Sequence, residues 1–151
     1  MTLRLDADTA DVYERHRSRL WGIAYRMLGS VQDAEDVVQE SFLRWHNTDA
    51  TTVRTPEAWL VRVATRLSID RLRSAAVERE RYVGDWLPDP VATSMAPAPD
   101  RNVELASELS MAFLVLLERL APDERAAFLL RDVFVGSYGE IAEVIGKNER
   151  A

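Results

Sequence analysis

The chain has 151 residues, 47% of them apolar, no cysteine, and 19 basic against 25 acidic side chains for a net charge of −6. That size fits one ordinary domain or two small ones with a real core, so a large enzyme and wholesale disorder are set aside. The missing cysteines also remove a disulfide scaffold, a thiol nucleophile and a cysteine zinc site. Taken at face value, the acidic balance argues against a nucleic-acid partner.

The elements read as helices almost throughout. Tyr13, Arg17, Leu20, Trp21, Ala24 and Leu28 recur at helical spacing and define one stripe of a first helix. Gly29 is its stop signal. Ser30 opens a second helix with Asp33 in the first turn, and Ala34, Val38, Ser41, Phe42 and Trp45 form its inner stripe. Asn47 to Thr55 lacks any period and reads as a loop. Thr55 then caps a third helix, with Pro56 at its first position and Glu57 in its first turn, running to about Arg81. No strand-like alternation of useful length occurs.

Composition changes at residues 82–102, which hold four of the six prolines and no helical period. This is a Pro-rich linker between two small helical domains, residues 1–81 and 103–151, so the predicted fold is all-α. Within it, WLPDP carries Trp86 and Leu87, which either cover a nearby hydrophobic edge or dock a partner. Beyond it, Leu105, Leu109, Ala112, Phe113, Leu116 and Leu120 form the next apolar stripe. Ala121-Pro122-Asp123-Glu124 starts another helix, with Ala126, Leu129, Leu130 and Val133 on its inner face. Gly136 breaks it. Ser137-x-x-Glu140 is a capping box opening a short helix that ends at Gly146.

Charge is unevenly placed. Residues 31–53 carry one basic and five acidic groups, net −4, whereas residues 54–81 carry seven and four, net +3. In the third helix Arg62, Arg66 and Arg73 fall within about 40° on a helical wheel, opposite Leu60, Val63, Ala64 and Leu67. Such a row can track phosphates, and it can equally be a solvated face. Trp59 and Ile69 flank the row, placed either to stack on bases or to broaden the core face. On the second helix Asp33, Asp36 and Glu40, with Gln39 nearby, form an acidic ridge suited to solubility or to a basic protein surface. Helix, glycine turn and next helix at Ser137–Ala151 is the grammar of a helix-turn-helix, although a glycine turn alone is a weak signal. Enzyme readings fare poorly. His16 and His46 stand alone, no glycine-rich phosphate loop exists, and the carboxylates of the second helix lack matching ligands elsewhere. No catalysis, cofactor or metal is expected.

Three strings in order, YRMLGSVQDAEDVVQESFLRW, PEAWLVRVATRLSIDRLRS and LERLAPDERAAFLLRDVFVGSYGEIAEVIG, resemble bacterial RNA polymerase sigma factors of the extracytoplasmic-function (ECF) group. YVGDWLPDP resembles the subgroup that carries a C-terminal SnoaL-like domain, absent from this chain.

The resemblance implies a sigma-2 domain over residues 1–81 and a sigma-4 domain over 103–151. It implies that Asp33, Asp36, Gln39 and Glu40 grip the clamp helices of the polymerase β′ subunit, with the β flap as sigma-4's partner. It implies that the loop before the third helix opens the −10 promoter element, and that Trp59, Arg62, Arg66, Arg71 and Arg73 face its DNA. Lys147, Asn148 and Arg150, at the start of the −35 recognition helix, are the DNA-facing residues remaining there. An anti-sigma factor or a regulatory domain is a further candidate partner. The implied role is promoter-directed initiation in the cytoplasm, with no membrane partner. Because a sigma-4 recognition helix should continue past Ala151, the alternative is a truncated module that binds polymerase or an anti-sigma partner without full promoter readout.

Overall fold

The computed structural model describes residues 2–79, 111–133 and 136–150. The linker at 82–102 with its WLPDP motif, and Leu105 and Leu109 beyond it, lie outside the described residues. The elements are α1 (Thr2–Leu28), α2 (Val31–His46), α3 (Pro56–Arg79), α4 (residues 111–118), α5 (Pro122–Phe128) and α6 (Tyr138–Ile145). A short 3-10 turn spans Ala50–Thr52, and a π-helical turn, Leu129–Val133, continues α5. No strand occurs among the described residues, in keeping with the all-α expectation.

Helices α1, α2 and α3 pack mutually into a three-helix unit. Its buried face is made by Leu20, Ile23, Ala24 and Met27 of α1, Ala34, Val37, Val38 and Trp45 of α2, and Leu60, Ala64 and Ile69 of α3. Ile69 is therefore core, which decides between its two readings. Two of the buried hydroxyls, those of Ser41 and Ser68, are satisfied within their own helices. Ser41 Oγ donates to Val37 O at 2.7 Å, and Ser68 Oγ donates to Ala64 O at 2.8 Å. Tyr13 Oη donates to Val38 O at 2.6 Å, tying α1 to α2. Burial pushes its phenol up to about 12, so it stays neutral and a donor at any ordinary pH.

The boundaries follow from capping. Gly29 takes φ 67°, the left-handed conformation that glycine adopts without a Cβ clash, and its N–H closes onto Tyr25 O at 2.7 Å. Ser30 Oγ then accepts from Asp33 N at 3.2 Å, starting α2. In the loop after α2, Asp49 accepts from Thr51, a hydroxyl bond at 2.6 Å and an amide bond at 3.0 Å, which hold its carboxyl below the usual range. Ser137 and Glu140 form the reciprocal box, at 3.2 and 2.9 Å. The Ser137 N–H, and after it the Ser137 hydroxyl, hold the Glu140 carboxyl below its usual range.

Helices α4, α5 and α6 surround Leu114, Leu117, Ala126, Leu129, Leu130 and Ile141. The α4 stripe read from the sequence is corrected here. Leu116 is 61% exposed and Ala112 is exposed, while Leu114 and Leu117 are buried. The segment MAFLVLL is apolar all round, so its period could not select a face. At Gly136 the chain closes on itself. A Cβ there would lie 3.1 Å from Leu130 O and 3.3 Å from Ile141 Cγ1, tighter than a side chain accepts comfortably. Helices α5 and α6 pack on α3, and α5 also touches α1, so both units share one continuous apolar core.

Candidate nucleic-acid interface

Two charged surfaces flank α3. The first lies along α2. Asp33 and Asp36 sit one turn apart near its N-terminus, and both face Arg71 of α3, at 3.3 and 3.5 Å. Glu40 accepts from Arg44 Nε at 3.0 Å, an i,i+4 pair, and Gln39 is exposed. Asp36, Gln39, Glu40, Leu43, Leu67 and Arg71 line one shallow groove. Leu43, nearly half exposed, and Leu67 add apolar side chains to that groove beside the acids. The groove thus sets charged and apolar side chains next to one another on an open surface.

The second surface is the arginine row. Arg62 pairs with the Glu143 carboxylate of α6. Arg66 Nε donates to Val144 O at 2.9 Å, and its second guanidinium nitrogen donates to Glu143 O at 3.1 Å. Arg73 pairs with Asp123 of α5 at 2.8 Å. The three residues share one face, as the wheel places them. Arg71 lies off that row, on the acidic ridge, because it falls about 180° round the helix from Arg62.

Trp59, half-buried at the start of α3, packs on Trp45 with ring centroids 5.4 Å apart and planes tilted by 55°. Trp45 is held in turn by its indole N–H, which donates to Thr9 O at 3.0 Å. One face of Trp59 therefore broadens the core. At the C-terminal end, Gly146 caps α6 with φ 73°, and Lys147–Arg150 form turns rather than a helix. Lys147 Nζ lies 2.9 Å from Asp123 Oδ2, and Asn148 Oδ1 accepts from Arg150 N at 3.1 Å.

Sequence reasoning passes over three residues that organise this surface. Asp123 reads as a helix-start acid, yet its mostly buried carboxylate joins Arg73 to Lys147. Glu143 carries no sequence signal of its partner. Arg125 is buried, and its guanidinium donates to Met27 O near the end of α1. Its position four residues before Leu129 puts it on the apolar stripe, a signal available in the sequence. Among the described residues, no group of three or more His, Asp or Glu is placed to hold a metal, and no helix is long and apolar enough to cross a membrane.

The sequence profile of Sigma-70 region 2 matches residues 12–77, and that of Sigma-70 region 4 matches residues 110–151. The chain belongs to the sigma-70 family. Among the relatives of this sigma-70 chain, the ECF RNA polymerase sigma factor SigJ of Mycobacterium tuberculosis is 49% identical over 140 residues, 92% of this chain and 45% of that protein. The ECF RNA polymerase sigma factor SigE of Mycolicibacterium smegmatis is 34% identical over 140 residues, 90% of this chain and 52% of that protein. A crystal structure of Mycobacterium tuberculosis SigJ superposes with a TM-score of 0.68 at 42% identity, covering 93% of this chain and 48% of that one. The chain spans about half the length of the relatives it matches. The region 2 match takes in both the acidic ridge and the arginine row, and the region 4 match takes in α4 to α6.

Proposed function

We propose that this chain acts as an ECF sigma factor, binding core RNA polymerase and directing it to promoters. The observation that carries this reading is the ordered pair of region 2 and region 4 matches, with relatives of that name along nine-tenths of the chain. In this reading the α2 ridge, Asp33, Asp36, Gln39 and Glu40, docks the β′ clamp helices, and Arg71 holds two of those acids in place. Arg62, Arg66 and Arg73 take backbone phosphates of the −10 element, and the outward face of Trp59 stacks on an unpaired base. Lys147, Asn148 and Arg150 belong to the −35 contact, and the β flap receives the unit around α5 and α6. Residues 1–81 and 103–151 are the two working domains. The mechanism is selective binding without covalent chemistry, in the cytoplasm where the polymerase works. Capture of unstacked bases offsets the few kcal/mol of unpairing.

Salt dependence tests the arginine row. In the reconstituted holoenzyme, Arg62→Ala with Arg66→Ala is expected to weaken promoter binding. It should also flatten the slope of log affinity against log salt by about 0.7–0.9 for each phosphate no longer neutralised. A slope equal to wild type, measured by anisotropy over a salt series, would show that the row is a solvated face.

A further inference from the structure

The turn between α2 and α3 is tightly tied. One carboxylate oxygen of Asp49 accepts from the Thr51 hydroxyl at 2.6 Å and from the Thr51 amide at 3.0 Å, and Asp49 O accepts from the Thr52 hydroxyl at 2.7 Å. Thr48 Oγ1 binds the entry of the loop to Arg44 O at 2.6 Å. Ala50 and Val53 pack against the core, while Thr51, Thr52 and Arg54 are exposed. We propose that this turn is a preformed seat for a single DNA strand. In it Arg54 takes a backbone phosphate near the base stacked on Trp59, and Asp49 is the positioning residue that holds the turn. This rests on the reading that Trp59 meets an unpaired base.

Arg54 differs from the other arginines around α3. Arg44, Arg62, Arg66, Arg71 and Arg73 each have a partner, whereas Arg54 has no hydrogen bond or ion pair among the described residues. A paired guanidinium gives up a contact before it takes a phosphate, and Arg54 gives up none. The backbone that carries it is fixed on both sides. On one side Val53 N donates to Ala50 O at 3.3 Å; on the other Thr55 O accepts from Trp59 N at 3.1 Å. Thr55 also precedes Pro56, which restricts it to extended conformations. The planar fork of donors therefore stands on chain that needs no further ordering, which lowers the entropic cost of binding.

Trp45 joins the turn to the stacking ring. Its carbonyl accepts from Thr48 N at 3.1 Å, and its indole packs on Trp59 at 5.4 Å. Cation and ring thus share one anchor and stand at the same end of α3, the pairing of backbone charge with an aromatic platform that single-strand binding uses. Asp49 is the informative oddity. A carboxylate beside a strand of phosphates repels it, so charge alone would make Asp49 a defect. Its bonds to Thr51 and Thr52 give it a use.

The test uses holoenzyme reconstituted with core polymerase and a fluorescent promoter fragment whose non-template strand is unpaired across the −10 element. Arg54→Ala is expected to weaken binding about 3- to 10-fold and to flatten the salt slope by about 0.7, one single-strand phosphate. Arg54→Lys should keep the slope. Methylphosphonates placed singly along the unpaired strand should include one position at which wild type and Arg54→Ala bind alike. Asp49→Ala and Asp49→Asn remove the same charge, and charge alone predicts that both tighten binding equally. Positioning predicts a split: Asn, which still accepts from Thr51, binds at least as well as wild type, and Ala binds about 3- to 10-fold more weakly. Core-polymerase binding and far-UV circular dichroism check that each variant is folded. An Arg54→Ala slope equal to wild type, or no converging methylphosphonate, overturns the phosphate contact. Equal effects of the two Asp49 changes overturn the positioning role. Trp59→Ala in the same assay separates the two levels. Weakened binding by Trp59→Ala beside an unaffected Arg54→Ala sinks the seat alone, whereas undiminished binding by Trp59→Ala places the failure in the stacking reading beneath it.

Discussion

Trp45→Ala is expected to destabilise the α1–α3 unit by about 3–5 kcal/mol, the range for removing a large buried aromatic. Three losses combine. The indole is 1% exposed and fills the space between α2 and α3, so truncation leaves a cavity. Its N–H donates to Thr9 O at 3.0 Å, the bond that ties the early turns of α1 down. It also supports Trp59 in a tilted ring contact at 5.4 Å. Trp45→Phe keeps much of the packing but not the N–H, and should fall between wild type and Trp45→Ala. A domain of ordinary stability holds about 5–15 kcal/mol, so the alanine variant stands near the limit of folding. Urea unfolding followed by circular dichroism measures this. A loss below about 1 kcal/mol would show that Trp45 is not a keystone of the unit.

Arg125→Ala is expected to cost about 1.5–3 kcal/mol, the range for a charged hydrogen bond in a buried setting. The side chain is 6% exposed, and its guanidinium donates to Met27 O. That carbonyl is among the last of α1, without an intrahelical partner and at the negative end of the helix. The bond reaches from α5 back to α1, so its loss should loosen the α5–α6 unit from the first three helices. Arg125→Met, which restores volume without the donor, separates the two contributions. If it is as stable as wild type, packing rather than the hydrogen bond is what Arg125 supplies. Hydrogen exchange resolved by segment should show faster exchange in α5 and α6 and little change in the core of α2. Equal acceleration everywhere would contradict a local role.

Much of this fold is legible in the sequence because local chemistry decides it. Gly29, Ser30, Pro56, Ser137 and Gly146 act within a few residues of themselves, and the helix ends fall at or beside each of them. The arginine row is legible too, since Arg62, Arg66 and Arg73 share a face by spacing alone. What the row touches is not. Glu143 lies 81 positions from Arg62, and Asp123 lies 50 from Arg73. No period relates such pairs, and only the packing of α6 and α5 on α3 brings them together. Leu116 shows the other limit. In a segment apolar on every side, exposure is set by tertiary neighbours, and spacing is silent. Net charge misleads in the same way: the total of −6 conceals a +3 segment that holds the entire row.

In the proposed reading one helix, α3, separates two functions, a polymerase-docking ridge on the α2 side and a DNA-facing row beside α6. Equilibrium binding of the labelled chain to core RNA polymerase tests that division most directly. Wild type is compared with Asp36→Arg plus Glu40→Arg and with Arg62→Ala plus Arg66→Ala. The expected result is that wild type and the arginine variant bind alike, while the ridge variant loses about tenfold or more in affinity. Failure of wild type to bind core polymerase, or undiminished binding by the ridge variant, would contradict it.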